Sequence, residues 1–423
     1  MSLAFPVIPQ ELFRTTQVEP RQIEGTLGRM ARFAKSFAPL FYRAEQRDHA
    51  REYLEGLLSD LHRKSVEPIA TAHLQPRRPL QRFVGSGKWE DDPMRAELHR
   101  QVAQEIGDPD GVLALDGSGF PKKGTHSVGV ARQWCGRLGK TDNCQVGVFI
   151  SYHGRGSFTL LDGELYLPHE WTRRRARMDK CHVPQDIGFR TKIEIALELL
   201  DLVSPRVPHR WVTGDDEFGR PAWFRRALRH RKETYLLEVP SDTLIRDLEA
   251  VPPAPVAGQK GPRPKVPFVQ VAEWAKAKAQ NSWTRVCVRD GEKGPLEVEV
   301  TTTRVRAKNE QKIGPRELLV IIRTIEKNPE IRYYLANADA TTSRETLARV
   351  AGSRHSIEEC FEISKDDLGM DHYEVRSWVG WRHHMTMSFL AHWFLTLEQR
   401  LVGEKNTGPH GGLDGAGAAE TAA

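Results

Sequence analysis

Cysteine is scarce in this sequence. Its five residues, Cys135, Cys144, Cys181, Cys287 and Cys360, stand far apart, and none belongs to a C-x-x-C pair. That spacing excludes a zinc site built on paired thiolates, and an odd, scattered set argues against a disulfide framework. Also missing is any run of about 18 uncharged apolar residues, so no transmembrane helix is expected. The first residues, MSLAFPVIPQELFR, lack the charged start and apolar stretch of a secretory signal. The expected place is the cytoplasm. Charge of one sign is barely in excess: 62 Lys and Arg stand against 56 Asp and Glu, a net of +6, which alone points only weakly to nucleic acid. GSGFPKKG has glycines and lysines but not the G-x-x-x-x-G-K-[ST] order of a phosphate-binding loop, so no nucleotide cofactor is expected.

What is present fits a globular protein of two or three domains: 423 residues, 39% hydrophobic and 28% charged. Residues 1–108 read as helical, with apolar residues at spacings of three and four in RMARFAKSFAPLFYRAEQRDHAREYLEGLLSDL. The texture changes at GVLALDGSGF. From 109 to 240 the pattern gives three strands, then helix, strand, helix and strand, with TKIEIALELLDLV and PAWFRRALRHR as the helices. Residues 241–345 begin with VPPAPVAGQKGPRPKVP and continue as alternating or β-branched runs, which predicts an all-β insertion. Helices return over 346–402, ending in VRSWVGWRHHMTMSFLAHWFLTLEQRL. The Gly- and Ala-rich tail 403–423 has no apolar period and is expected to be disordered.

Two acids stand where strands are expected to end: Asp116 after VLAL and Asp215 after RWVTG. In GDDEFG, alternation with Trp211 and Thr213 favours Asp215 over Asp216 and Glu217, which look like acids of a helix N-terminus. A third acid lies in RHSIEECFEISK. At about 100° per residue, Arg354, Glu358 and Lys365 share one helical stripe, while Ile357, Cys360, Phe361 and Leu368 cover the adjoining face. Each feature has an ordinary reading: Asp favours turns, and an i, i+4 Arg–Glu pair on a solvated helix contributes only about 0.2–0.5 kcal/mol. Brought together, three carboxylates would suit two Mg²⁺ ions about 3.5–4 Å apart, one at the attacking and one at the leaving oxygen of a phosphodiester.

Basic residues cluster at Arg173–Arg177 and over Arg220–Lys232. The second cluster includes Arg225 and Arg229, expected on a helix that meets DNA. Lys122 and Lys123 follow Asp116 closely and suit either a DNA contact or a hairpin turn. His383 and His384, in an apolar helix without an H-E-x-x-H pattern, are expected to pack.

GVLALDGSGFPKKGTHSVGVARQWCG, NCQVGVFISY, GELYLPHEW, WVTGDDEFG and RHSIEECFEISKDDLGMDHYEVRSWVGWRHH together resemble the DDE transposases of bacterial insertion sequences. The similarity is closest to the cut-and-paste branch with a Tyr-x2-Arg-x3-Glu-x6-Lys signature. Arg354, Glu358 and Lys365 match that spacing, and Ala351 stands at the tyrosine position. The resemblance implies an α/β, ribonuclease-H-like catalytic core with an all-β insertion, preceded by a helical N-terminal domain that binds DNA ends. It implies Asp116, Asp215 and Glu358 as catalytic and metal-binding residues for two Mg²⁺ ions, with Mn²⁺ as a substitute. Arg354 and Lys365 would contact phosphates; in hairpin-forming relatives an aromatic of the insertion stacks on a flipped base, a place open to Trp274 or Trp283, though each is expected rather to pack in the core of the β insertion. The partners it implies are double-stranded DNA, as terminal inverted repeats and target, and a second copy of the chain in a homodimer on DNA, nucleoid-associated when bound. Two rivals share these residues: a transposase-derived DNA-binding regulator and a metal-dependent nuclease that never rejoins ends.

Overall fold

The computed structural model describes residues 24–254, 264–291, 294–309, 312–326 and 328–406. Most of the expected tail, the first 23 residues and the centre of the Pro- and Gly-rich stretch lie outside the described residues. Among the described residues five helices come first: α1 (Thr26–Phe37), α2 (Ala44–Leu57), α3 (Val66–Ala72), α4 (Arg77–Ser86) and α5 (Asp91–Glu105). Met30, Phe33 and Phe37 form the buried stripe of α1, and Leu80, Phe83 and Val84 that of α4.

The strands β1 (Val112–Pro121), β2 (Ala131–Cys135), β3 (Lys140–Gly154) and β4 (Ser157–Leu165) follow. Next come the short helices α6 (His169–Thr172) and α7 (Arg175–Lys180), then α8 (Lys192–Val203), β5 (Trp211–Gly214), the single turn α9 (Asp216–Gly219), α10 (Ala222–His230) and β6 (Thr234–Val239). α8 starts at a reciprocal cap, in which Thr191 Oγ1 accepts from the Glu194 amide at 3.2 Å while Glu194 Oε2 accepts from the Thr191 amide at 2.7 Å. β1 pairs antiparallel with β3 but parallel with β5, and β5 runs parallel with β6. A mixed sheet of this kind, with helices packed on it, is compatible with a ribonuclease-H-like core.

Beyond β6 the chain adds β7 (Leu244–Asp247), β8 (Val269–Gln270), α11 (Val271–Lys276), β9 (Thr284–Gly291), β10 (Gly294–Asn309), β11 (Lys312–Thr324) and β12 (Ile331–Ala336). This stretch is not purely β, because α11 inserts into it and anchors through Trp274, whose indole donates to Asp247 Oδ2 at 2.9 Å. Nor does it form a separate sheet. β12 pairs with β6, so the twelve strands among the described residues belong to one hydrogen-bonded sheet. Then come α12 (Arg344–Ser353), α13 (His355–Glu362), a π-helical turn over Ile363–Asp367 and the long α14 (Trp378–Asn406).

One apolar cluster joins the first five helices, the sheet and α14. Buried ions tie the same parts. Arg95 of α5 pairs with Asp162 of β4, and Arg382 of α14 reaches Asp91 at 2.8 Å and Glu164 at 2.5 Å. His383 stacks on Trp89 with ring centroids 3.7 Å apart, and His384 meets the Tyr53 hydroxyl at 2.8 Å, so both pack inside the fold.

A second buried tie links α10 to β11. Arg225 Nε donates to Glu317 Oε1 at 2.8 Å, and the Tyr235 hydroxyl donates to the same oxygen at 2.6 Å. Removing the arginine strands a buried carboxylate, so Arg225→Ala should cost about 3–5 kcal/mol, seen as a lower urea midpoint. The apolar pair Arg225→Met with Glu317→Leu should recover most of that loss.

Candidate active site

The parallel pairing of β1 with β5 sets the site. Its last matched residues are Leu115 and Gly214, so Asp116 and Asp215 come next on adjacent strands, at the same level. Asp116 does not end its strand, as the sequence suggested; β1 runs on to Pro121 against β3, and only its parallel neighbour stops. β5 gives way to α9, for which Asp215 is the N-cap, its Oδ1 accepting from the Glu217 amide at 3.0 Å. Asp216 and Glu217 fall in the first turn of α9, as helix N-terminal acids.

The two aspartates are half-buried, and desolvation disfavours their charge. Burial first, then the neighbouring Asp215 charge, raises the Asp116 carboxyl from 3.8 to about 7. Burial, then Glu217 and Asp216, raises Asp215 from 3.8 to about 6. Arg354 opposes both shifts.

Glu358 stands on α13, which lies over β1, β3 and β4. It acts on Asp116 through the field, but its carboxylate is engaged elsewhere: Oε1 lies 2.8 Å from Arg354 Nη2 and Oε2 lies 2.7 Å from His355 Nδ1. Among the described residues, no three metal-ligating side chains are gathered closely enough to hold an ion in this arrangement. The donor set still fits a divalent cation: two half-buried carboxylates side by side resist full ionisation until positive charge arrives, and a third is within electrostatic reach.

Arg354 lies at the junction of α12 and α13 and is 8% exposed. Besides Glu358 it meets Glu238 of β6, Nε to Oε2 at 3.4 Å, and its Nε makes no hydrogen bond. Glu238 is the residue that sequence reasoning missed; its signal was an acid inside the otherwise apolar TYLLEVP. Lys365 sits in the π-helical turn, a widening often found at functional positions. Its ammonium donates to the buried Ser118 Oγ at 2.7 Å, two residues beyond Asp116, and burial lowers its pKa.

The remaining candidates spread outward. Lys122 donates to the Tyr373 carbonyl at 3.2 Å and lies 3.3 Å above that ring, with its pKa lowered to about 8 by burial. With exposed Lys123 it lines an open groove of about 510 Å³ that also takes in Arg63 and Arg376. Arg225 has no face for DNA, because it is 2% exposed and spent on Glu317. Arg229 is half-buried and turned to the Arg316 carbonyl at 2.8 Å and the Tyr235 hydroxyl at 3.1 Å. Trp274 is buried on Asp247, and Trp283 carries Arg323 at 4.0 Å over its ring, so neither stands free.

The raised aspartates give a signed pH effect. Between the unfolded value near 3.8 and the folded values of about 6 and 7, the folded chain binds more protons than the unfolded one. Stability from these groups is therefore complete below pH 4 and lost as pH rises through 6 to 7. In chelator, the melting temperature should fall between pH 5 and 8; Asp116→Asn should flatten that fall, and Mn²⁺ should reverse it at pH 8.

The sequence profile of the DDE superfamily endonucleases matches residues 36–295, more than half of the chain. A protein of Microchaete diplosiphon described as a probable transposase for insertion sequence element IS701 is 29% identical over 184 residues, which are 43% of this chain and 46% of that protein. The chain thus spans about half the length of that curated relative. Asp116 and Asp215, which follow the last matched pair of the parallel strands β1 and β5, both fall within the matched residues, while Glu358 lies beyond them; on a match over more than half of its length, the chain belongs to the DDE superfamily endonucleases.

Proposed function

We propose that the chain is a cut-and-paste transposase of the branch with the Tyr-Arg-Glu-Lys signature. It binds terminal inverted repeats as a homodimer, cleaves phosphodiester bonds at the element ends and joins the 3′-OH ends to target DNA. The observation that carries this reading is that Asp116 and Asp215 both follow directly on the last matched pair of β1 and β5, with Glu358 on the helix above. The match to a probable insertion-sequence transposase supports it.

Asp116, Asp215 and Glu358 would hold two Mg²⁺ ions, for which Mn²⁺ substitutes. When bound, the ions supply positive charge at the attacking and leaving oxygens of an in-line displacement. Water attacks the phosphodiester at the element end and releases a 3′-OH, which then attacks a target phosphodiester and releases a 3′-OH of the target strand. Lys365, fixed on Ser118 beside Asp116, meets the phosphate as a compact charge, and burial strengthens that contact. Arg354 presents a planar guanidinium suited to two phosphate oxygens once Glu358 releases it. Lys122 and Lys123, with the groove that they line, extend the cationic surface away from the reacting bond. The first five helices serve as the DNA-end-binding module.

Each of Asp116→Asn, Asp215→Asn and Glu358→Gln should slow cleavage of a duplex carrying the sequence beside the gene on the order of 10³-fold, about 4 kcal/mol of barrier. Binding of that duplex, measured by fluorescence anisotropy, should persist and weaken steeply with salt. Cleavage by Glu358→Gln in Mg²⁺ at the unchanged rate would sink the assignment. Cleaved ends that never join a target plasmid would leave a nuclease rather than a transposase.

A further inference from the structure

The arrangement around Arg354 poses a physical problem for any divalent ion that enters the site. Arg354 is a cation that offsets the charge of both aspartates, and it holds Glu358 at 2.8 Å. For three carboxylates to close on an ion, Glu358 has to leave Arg354. A guanidinium released among Asp116 and Asp215 is drawn toward them by the same attraction that draws the ion, and it would occupy the ion's place.

Glu238 stands where it prevents this. It lies within β6, opposite Tyr334 of β12, in the interior of the sheet. Its backbone is fixed closely: a Cβ at Gly219 would fall 1.7 Å from the Glu238 carbonyl oxygen, so the end of α9 packs directly on this strand. Its carboxylate lies 3.4 Å from Arg354 Nε, on the edge of the guanidinium that Nε shares with the Nη2 holding Glu358, and Arg332 lies 4.0 Å from the same oxygen. The Nε of this nine-tenths-buried arginine makes no hydrogen bond as it stands, leaving room for the Glu238 contact to tighten.

We propose that Glu238 is a positioning residue: it holds the Arg354 guanidinium by its Nε edge, so that Glu358 can move to the aspartate pair when a divalent ion binds while Arg354 stays out of the ion's place and keeps its outer Nη end for phosphate. The inference rests on the divalent-metal reading of Asp116, Asp215 and Glu358. It adds a fourth acid that acts through Arg354 and does not ligate the ion.

Binding of Mn²⁺ to the full chain without DNA, followed by titration calorimetry at fixed pH, tests this through a double-mutant cycle. Glu238→Gln should weaken Mn²⁺ binding about tenfold, the usual scale for a residue that orients a metal site from behind. In the Arg354→Gln background the same change should cost less than about threefold, because no guanidinium remains to be restrained. Glu238→Asp, which keeps the charge but shortens the reach to Arg354, should fall between Glu238→Gln and the unchanged chain, and it serves if Glu238→Gln fails to fold. An equal loss in both backgrounds would overturn the proposal, whether Glu238 ligates the ion or merely adds charge nearby. Unchanged Mn²⁺ binding in Glu238→Gln would overturn it as well. If the unchanged chain takes up no Mn²⁺, or Asp116→Asn binds it as well as the unchanged chain does, the metal reading itself falls.

Discussion

Two carboxylates at the same level on adjacent parallel strands repel each other, and the site is organised around that repulsion. Asp116 and Asp215 are placed there by pairing that ends at Leu115 and Gly214, which leaves neither side chain free to move far from the other. In a half-buried setting, such a pair is tolerated only with a proton or with positive charge close by. Arg354 supplies that charge in the chain alone, and a divalent ion is the natural replacement. Everything else at the site follows from managing one cation among several acids: Glu358 and Glu238 divide Arg354 between them, and Lys365 is kept apart on Ser118.

Holding this arrangement requires a stiff frame, and the frame is one sheet. β6 carries Glu238 and pairs with β5 on one side and β12 on the other, so the stretch after β6 buttresses the site. The Arg225–Glu317 tie fastens α10 to β11, while Arg95 and Arg382 fasten the N-terminal helices to β4 and α14. Buried ion pairs contribute little net stability, but they tolerate few alternative partners and so fix register between elements. The shared apolar cluster has the same consequence, since the first five helices cannot move as a separate body without exposing it.

Much of this was legible in the sequence because the signals were local. Apolar runs ending near an acid located Asp116 and Asp215, and alternation along RWVTGD chose Asp215 from three neighbours. The 3.6-residue period placed Glu358 and Arg354 together. What escaped was set by tertiary pairing. Nothing in VLALDGSGFP tells that β1 outlasts its parallel neighbour, because the continuation is dictated by β3. Arg225 looked like part of a basic helix face, yet its partner Glu317 lies 92 residues away. The stretch 241–345 read as its own β domain because strand patterns do not encode which edge they join; β12 joins β6. Glu238 showed only as an acid inside TYLLEVP, since its significance lies in Arg354, 116 positions later, which no period connects.

The alanine at the signature's tyrosine position has a structural counterpart. Ala351 is buried in the cluster that also holds Tyr334, Leu347 and Val350, where a larger side chain would overpack the seat of α12 on the sheet. Tyr334 itself, opposite Glu238 in the register, is within electrostatic reach of Arg354. The Ala351 carbonyl accepts from the Arg354 amide at 3.3 Å, so residue 351 bears on the arginine through the backbone of α12, whereas the aspartates are placed by strand pairing and Glu358 by α13.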